Sequence, residues 1–285
     1  MKKKLKLLVT GSNGLIAKTF IKTYNKDYKI ITCTKNDSLS LALKSRPDMI
    51  VNAAGDQYDE TRMLNTNLNL VIRLLEYCKK NKSKLIQFGS SAEYGLCKKP
   101  SNEDFKLNPA TLYEATKSAA SMMVTGYSKA YSIKAIVVRP YSVYGHHMKL
   151  DRLIMMIINN LNSNKKMNIY RAKHDFIYVK DFNRALNTII KKNDKWEYGE
   201  IINIGSEKQL SNEQVMKIIT KVFKNKGNFQ VIDKFYKPWD SDNWVSNCKH
   251  LRKKYNFKLH YSFEKGMKDF KNELYKDSQS QLKKL

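Results

Sequence analysis

The chain has 285 residues, of which 42% are hydrophobic and 11% aromatic, and its formal net charge is +27. This composition excludes a disordered protein, and the length suffices for one large domain or two closely joined ones. The cysteines are widely spaced, with no CxxC pair and no clustered histidines, so neither a disulfide framework nor a metal site is expected.

The strong positive charge has two interpretations. One is binding to nucleic acid or another polyanion, and the other is lysine enrichment throughout the chain. The lysines are dispersed in pairs and triples, and no nucleic-acid motif accompanies them, which favours the second interpretation. We therefore expect no nucleic-acid partner, although the positive field would attract a substrate that bears a diphosphate.

No apolar stretch approaches the length of a transmembrane helix. The apolar run near the N-terminus is too short for a secretory signal and leads into a glycine turn. We expect a cytoplasmic protein without a membrane partner.

In the first half of the chain, short apolar runs alternate with segments of helical periodicity. The sequence predicts strands at 5–10, 29–34, 49–52, 85–88 and 133–138, and helices at 15–24, 68–78 and 112–131. The run 133–138 is almost continuously β-branched, as in a strand buried on both faces. This alternation predicts an α/β fold, a doubly wound parallel sheet of the Rossmann type with right-handed crossovers.

After Gly145 the pattern loosens. A helix is predicted at 150–161, strands at 176–179 and 201–204, and a helix to Phe223 that opens with a capping box of Ser211 and Gln214. We expect a dinucleotide-binding domain at 1–145 to which 176–205 returns. A smaller substrate-binding lobe would comprise 146–175 and 206–285.

The segment 10–17 reads TGSNGLIA and lies between the first strand and the first helix. Its small residues allow a tight turn close to a pyrophosphate, which then faces the free N–H groups of the helix. An ordinary turn is the alternative, but the strand–turn–helix context favours a dinucleotide site. The predicted contacts are Gly11, Ser12, Asn13, Gly14, Leu15 and Ile16.

Tyr113 and Lys117 are four residues apart, which places both side chains on one face of a helix. An ammonium beside a phenol favours the phenolate and lowers the phenol pKa from about 10. We therefore expect Tyr113 to donate or accept a proton near neutral pH. Taken alone, this spacing also occurs by chance on solvated helix faces.

The segment 88–95 reads FGSSAEYG and follows the strand predicted at 85–88. Parallel sheets bind their ligands at such strand ends, where a serine hydroxyl can bind a reacting carbonyl or alcohol. A turn rich in small residues is the alternative.

These three motifs, in this order, resemble the extended short-chain dehydrogenase/reductase family. The resemblance is closest to its NAD(P)-dependent sugar-nucleotide epimerases, dehydratases and ketoreductases, and it extends over nearly the whole chain. Segments 46–55, 139–145, 174–181 and 199–205 also resemble family motifs, with His174 in the place of an arginine.

The resemblance implies a catalytic triad of Ser90, Tyr113 and Lys117, in which Lys117 also binds the nicotinamide ribose. Ungapped alignment to Tyr94 favours Ser90 over Ser91 as the catalytic serine. Further implied cofactor contacts are Thr34, Lys35, Ala53, Ala54, Gly55, Asn67, Arg139 and Pro140. Implied substrate contacts are Ser90, Ser91, Ala92, Tyr141 and Lys237; the last supplies charge but lacks the bidentate fork of an arginine.

Two departures from the family pattern narrow the reaction. The acidic residues that dehydratases carry after the catalytic threonine are replaced by Ser91 and Ala92, and Glu93 is one residue late unless the loop has a gap. The carboxylate that binds the adenosine 2′-hydroxyl should close the second strand, but Lys35 is there and Asp37 comes later.

We therefore predict an NADP(H)-dependent 4-ketoreductase of a nucleotide-linked keto sugar, with NAD as the other possible cofactor. The alternatives are an NAD-dependent 4-epimerase, a dehydratase, and a non-catalytic relative that binds a cofactor or RNA. Family members often dimerise through two helices, here 64–79 and 112–130. We expect a homodimer with Met122, Met123 and Tyr127 at its interface, although core packing explains these side chains equally well.

Overall fold

The computed structural model describes residues 4–163 and 165–282, so residues 1–3, 164 and 283–285 of the two expected lobes lie outside the described residues. The strands are β1 (Lys6–Thr10), β2 (Lys29–Cys33), β3 (Met49–Asn52), β4 (Lys84–Phe88), β5 (Ala135–Pro140), β6 (Ser142–Tyr144), β7 (Met167–Tyr170), β8 (Lys173–Tyr178), β9 (Ile201–Ile204), β10 (Gln209–Ser211) and β11 (Phe229–Ile232). The α-helices are α1 (Leu15–Tyr24), α2 (Leu39–Lys44), α3 (Glu60–Met63), α4 (Leu70–Asn81), α5 (Leu112–Ala130), α6 (Leu153–Ser163), α7 (Val179–Lys191), α8 (Asn212–Phe223), α9 (Lys249–Tyr255) and α10 (Phe263–Leu282). A π-helical turn (Leu64–Asn69) joins α3 to α4, and 3₁₀ turns cover Ser91–Tyr94 and Asn193–Lys195.

The main sheet has six parallel strands in the order β2-β1-β3-β4-β5-β9. Apart from the edge strand β2, its strands are mostly buried because helices cover both sides. Leu7 and Val9 of β1 pack in one hydrophobic cluster and Leu8 in the other, following the alternation of side chains along a strand. The α/β fold with a Rossmann-type parallel sheet is thus confirmed.

A third hydrophobic cluster lies outside the main sheet, between α6, α8 and α10. Strands β10, β8 and β6 form a three-stranded sheet beside it, and β11 pairs with β7. The expected division of the chain differs from this arrangement at three places. Strands β6 and β8 join the smaller sheet rather than the main one, and α9 packs on the main core through Leu251 and Tyr255.

The carboxyl ends of β1, β3 and β4 meet at one edge of the main sheet, the edge at which parallel sheets bind ligands. Within residues 4–163 and 165–282, no helix is both long and apolar enough to span a bilayer.

Candidate active site

The turn between β1 and α1 is shaped by close backbone contact. Gly11 has φ +64°, and a Cβ on it would lie 2.6 Å from the backbone N and Cα of Ala54. Helix α1 starts after Gly14 with no side-chain cap and no acidic residue in its first turn. Its first N–H groups and the positive end of its dipole therefore face outward, as an anion-binding site requires. These features fit the pyrophosphate of a dinucleotide.

Replacing Gly11 with alanine should disrupt this turn, because a side chain there meets backbone rather than a movable side chain. We expect a loss of about 1–3 kcal/mol of folding stability and dinucleotide binding at least about 100-fold weaker, equal to ~2.7 kcal/mol. Gly14→Ala is the control for the loss of stability, since Gly14 has φ −71° and its Cβ would only approach Gly11 O at 3.3 Å. Urea denaturation and cofactor titration measure both effects. Wild-type affinity in Gly11→Ala would contradict this account of the turn.

At the end of β2, the carboxylate of Asp37 contacts Thr34, although Asp37 lies three residues further along the sequence. Asp37 turns back, and its Oδ2 accepts hydrogen bonds from the backbone N and the hydroxyl of Thr34, both at 2.7 Å. These bonds lower the pKa of Asp37. Ser12 N donates to Cys33 O at 3.4 Å, which ties the glycine turn to the same strand end. With the exposed Lys35 beside it, this corner carries a carboxylate and an ammonium.

The segment 53–55 after β3 forms the next part of the cleft. The side chain of Asn67 binds the backbone of Asp56, the residue after this segment. Asn67 is fully buried in the π-helical turn. Its Oδ1 accepts from Asp56 N at 2.9 Å, and its Nδ2 donates to Asp56 O at 2.8 Å and to Thr116 Oγ1 at 3.1 Å. A Cβ on Gly55 would lie 3.8 Å from the Lys117 ammonium. The loop after β3 is therefore fixed against α5.

Ser90, Tyr113 and Lys117 come together between the end of β4 and the start of α5. Thr111 and Glu114 form a capping box that starts α5, so Tyr113 lies in its first turn. A hydrogen bond from the Ser90 side chain acts on the Tyr113 phenol. The buried Lys117 ammonium donates to the carbonyl of Phe88.

The pKa shifts at this group differ from the sequence-based expectation. Burial raises the pKa of the Tyr113 phenol, and the hydrogen bond from Ser90 opposes this only in part. Burial also lowers the pKa of Lys117 to about 8. The expectation of a lowered tyrosine pKa was wrong because the loss of water around the phenol outweighs nearby positive charge.

Glu93 lies behind the serine turn rather than in the cleft. It is 0% exposed, its Oε1 accepts from Ser90 N at 2.7 Å, and its Oε2 pairs with Arg139 Nε and Nη2, both at 2.9 Å. In the 3₁₀ turn Ser91–Tyr94, Glu93 forms a capping box with Ser90, so its carboxylate turns back toward the backbone of that serine. Glu93 therefore holds Ser90 in place and is withdrawn from acid–base chemistry in the cleft.

Arg139 was expected to contact the cofactor, but its side chain is committed elsewhere. It is 1% exposed, and its guanidinium lies 4.6 Å above the ring of Tyr94 while it pairs with Glu93. The sequence placed Arg139 correctly at a strand end but could not give the direction of its side chain. Pro140 follows it, half-buried, at the end of β5.

The implied substrate contacts fall in two places. Ser91 is buried, and with Tyr141 it lines a small cavity that Trp244 of the smaller lobe also borders; Tyr141 Oη lies 2.7 Å from Ser101 Oγ. Lys237 is on an exposed turn, its ammonium 5.3 Å from the Trp239 ring centre. Ala92 is half-buried in the 3₁₀ turn after Ser90.

Two hydrogen bonds between the lobes were not expected from the sequence. Tyr58 Oη donates to Asp151 Oδ2 at 2.6 Å, and Arg152 Nη2 donates to Gln57 Oε1 at 2.7 Å. The charge of Arg152 acts to lower the pKa of Tyr113, so this guanidinium lies near the reactive phenol. No motif marks these residues, and only the fold brings them together.

A parallel sheet with an open glycine turn and a grouped serine, tyrosine and lysine at its carboxyl edge define an enzyme of the extended short-chain dehydrogenase/reductase class. The model of the NAD dependent epimerase/dehydratase family matches residues 7–205. The chain belongs to this family.

Among curated proteins, the chain is 30% identical over 182 residues to a dTDP-D-glucose 4,6-dehydratase of Dictyostelium discoideum, covering 58% of this chain and 40% of that protein. It is 25% identical over 209 residues to an uncharacterized UDP-glucose epimerase of Bacillus subtilis, covering 71% of this chain and 63% of that protein. The matched region thus spans less than two thirds of either relative.

Solved structures share the fold over nearly the full chain. The dTDP-glucose 4,6-dehydratase of Bacillus anthracis, in complex with NAD, has a TM-score of 0.85 at 24% identity and covers 96% of this chain and 98% of its own. The UDP-glucuronic acid 4-epimerase of Bacillus cereus, in complex with UDP-glucuronic acid and NAD, has a TM-score of 0.83 at 20% identity and covers 95% of this chain and 100% of its own.

Proposed function

We propose that the chain is a 4-ketoreductase that uses NADP(H) to reduce a nucleotide-linked keto sugar. The observation that carries the choice of reaction is the position of Glu93, which pairs with Arg139 beneath the serine turn. Loss of water from a sugar needs an acid and a base in the cleft. With Ser91 and Ala92 ahead of it, the turn offers no free carboxylate. The family and the substrates named for its relatives support a nucleotide sugar as the substrate class.

The raised pKa of Tyr113 suits reduction. A phenol that remains protonated at neutral pH is ready to donate to the oxygen of a ketone. Ser90, hydrogen-bonded to the same phenol, orients that oxygen, and the Lys117 ammonium balances the negative charge that Tyr113 develops. The bound nicotinamide would supply the hydride, and its ribose would contact Lys117. Hydride and proton together convert the ketone to an alcohol.

The test is oxidation of NADPH and of NADH in the presence of a panel of 4-keto sugar nucleotides. We expect turnover with at least one keto sugar and none with the corresponding 4-hydroxy sugar. Absence of turnover across the panel in folded protein would contradict the proposed reaction.

The choice of cofactor depends on Lys35 and Asp37 at the end of β2. An ammonium there binds the 2′-phosphate of NADP, whereas a carboxylate binds the 2′-hydroxyl of NAD. We expect tighter binding of NADP⁺, and Lys35→Ala should weaken it about tenfold, or ~1.4 kcal/mol, without affecting NAD⁺. Asp37→Asn is the matched variant and should affect only NAD⁺. The opposite preference in the wild type would contradict the NADP(H) assignment.

A second candidate is a 4-epimerase that retains NAD, favoured by the Asp37 carboxylate beside Thr34. Oxidation and re-reduction at one carbon would use the same three side chains. Protein purified with bound cofactor would then interconvert two sugar nucleotides with no added nicotinamide. This result would replace the ketoreductase with the epimerase.

We also propose a homodimer formed through α4 and α5. On α5, Met122 is 66% exposed and Gly126 faces open space, whereas Met123 and Tyr127 pack partly on the core. An exposed methionine beside a small residue suits close contact with a second helix. Light scattering should give twice the monomer mass for the wild type and the monomer mass for Met122→Glu. Met156→Glu, on α6 and 44% exposed, is the control and should stay dimeric. A monomeric wild type would contradict the dimer.

A further inference from the structure

A chain of buried polar side chains crosses the carboxyl ends of β1, β3 and β4. The Thr10 hydroxyl donates to Asn52 Oδ1, and Asn52 Nδ2 donates to Gln87 Oε1 at 2.6 Å. Gln87 Nε2 then donates to the carbonyl of Phe88 at 2.8 Å. Thr10 is 2% exposed, and Asn52 and Gln87 are 0% exposed. These hydrogen-bonded side chains thus lie inside the sheet core, next to the glycine turn.

Burying two carboxamides is unfavourable unless their hydrogen bonds are made. In this series of bonds the Phe88 carbonyl can only accept, so it fixes the orientation of the Gln87 amide, which in turn fixes that of the Asn52 amide. The last acceptor, Phe88 O, is also the acceptor for the Lys117 ammonium. The series of polar side chains therefore ends on the atom that holds the proposed catalytic lysine.

We propose that Gln87 is a positioning residue for Lys117, because its carboxamide fixes the Phe88 carbonyl to which the lysine ammonium donates. Two donors share one carbonyl oxygen, so each weakens the hold of that oxygen on the other. Gln87 thus sets both the place of the ammonium and how firmly its proton is held. The catalytic consequence of this positioning rests on the proposed function, in which Lys117 balances the charge on Tyr113 and contacts the nicotinamide ribose.

The other groups around Lys117 keep their charges when Gln87 is substituted. Glu93, from the 3₁₀ turn, favours the charged lysine and is itself paired with Arg139 of β5. Tyr113 lies one helical turn away on α5, and the loop after β3 presents the backbone of Gly55. Substitution of Gln87 changes none of these charges. A change in the lysine titration would therefore report on the shared carbonyl.

The experiment is an NMR titration of the full chain labelled with ¹³Cε-lysine, without cofactor or substrate. The Lys117 resonance is identified by its loss in Lys117→Arg, and in the wild type it should titrate near pH 8. In Gln87→Met the Phe88 carbonyl accepts only from the Lys117 ammonium, so the charged form of the lysine is stabilised. We expect the midpoint to rise by about half a pH unit. Thr10→Val, which keeps side-chain volume, should give a smaller rise.

Asn160→Leu is the control because Asn160 is a buried amide in α6, where it donates to Lys165 O and not to this chain of bonds. It should lower stability without moving the Lys117 midpoint. An unchanged midpoint in folded Gln87→Met would overturn the proposal. If that variant does not fold, an unchanged midpoint in Thr10→Val would overturn it.

The titration needs no substrate, so its outcome is separate from the proposed reaction. A shifted midpoint in protein that reduces no keto sugar would count against the ketoreductase and leave the role of Gln87 standing. Where turnover is found, Gln87→Met should lower kcat about tenfold, or ~1.4 kcal/mol, with KM for the sugar nucleotide unchanged. Loss of structure alone would not separate kcat from KM in this way.

Discussion

Replacement of Tyr113 by phenylalanine is expected to lower kcat for the keto-sugar reduction by about 10³-fold, within the range that a positioned proton donor contributes. The variant loses only the phenolic oxygen, which is the atom that the Ser90 side chain contacts. The ring keeps its packing, so folding and cofactor affinity should remain at wild-type values. Steady-state rates and dinucleotide titration measure the two quantities separately.

The matched control is Tyr127→Phe, on the same helix, where the phenol interacts with Glu76 outside the cleft. Its kcat should equal that of the wild type within a factor of about two. Full turnover in Tyr113→Phe would remove Tyr113 from the mechanism. Weakened cofactor binding with unchanged kcat would instead assign it a purely structural role.

Replacement of Glu93 by alanine is expected to be the most destabilising of the substitutions considered, at about 3–5 kcal/mol. The change leaves the 1%-exposed guanidinium of Arg139 without its counter-charge and removes the acceptor for Ser90 N. The serine turn should also lose its fixed position, so activity should fall in whatever fraction stays folded. Urea denaturation gives the free energy of unfolding.

Two further variants test the cause. Glu213→Ala breaks the exposed pair with Lys217 on α8 and should cost no more than about 0.5 kcal/mol. The double variant Glu93→Leu with Arg139→Met removes both buried charges. It should recover about 1–3 kcal/mol of the stability lost in Glu93→Ala. Equal losses in Glu93→Ala and Glu213→Ala would contradict a buried ion pair.

The sequence predicted those parts of the fold whose signals are local. The bounds predicted for α1, β3 and β9 are those observed, and α8 opens with the predicted capping box of Ser211 and Gln214. Buried parallel strands are short apolar runs between polar loops, and a cap needs only residues three apart. Such features do not depend on distant partners.

The sequence did not predict helices α2, α3, α7 and α9, nor several elements of the smaller lobe. Helix α10 carries Phe263, Met267, Phe270 and Leu274 at helical spacing, but lysines and Gly266 interrupt the pattern. Strands β7, β10 and β11 have three or four residues each. Unlike the equally short but mostly buried β3 and β9, these strands are largely half-buried or exposed, and they adopt strand conformation because of their partners, which sequence periodicity does not reveal.

The same distinction holds for the candidate site. Tyr113 and Lys117 share a helix face, so their proximity followed from spacing alone. The inward direction of Glu93, the commitment of Arg139 to it and the return of Asp37 to Thr34 depend on backbone turns and tertiary packing. The sign of the tyrosine pKa shift depends on burial, which a four-residue motif does not contain.

Isotope transfer in a single turnover tests the proposed hydride transfer directly. NADPH that carries deuterium in the transferable position is mixed with the wild type and a reducible 4-keto sugar nucleotide, and the product is analysed by mass spectrometry. We expect the product sugar to gain one deuterium in the wild type and to gain it about 10³-fold more slowly in Tyr113→Phe. A product without deuterium, or equal transfer rates in both proteins, would contradict it.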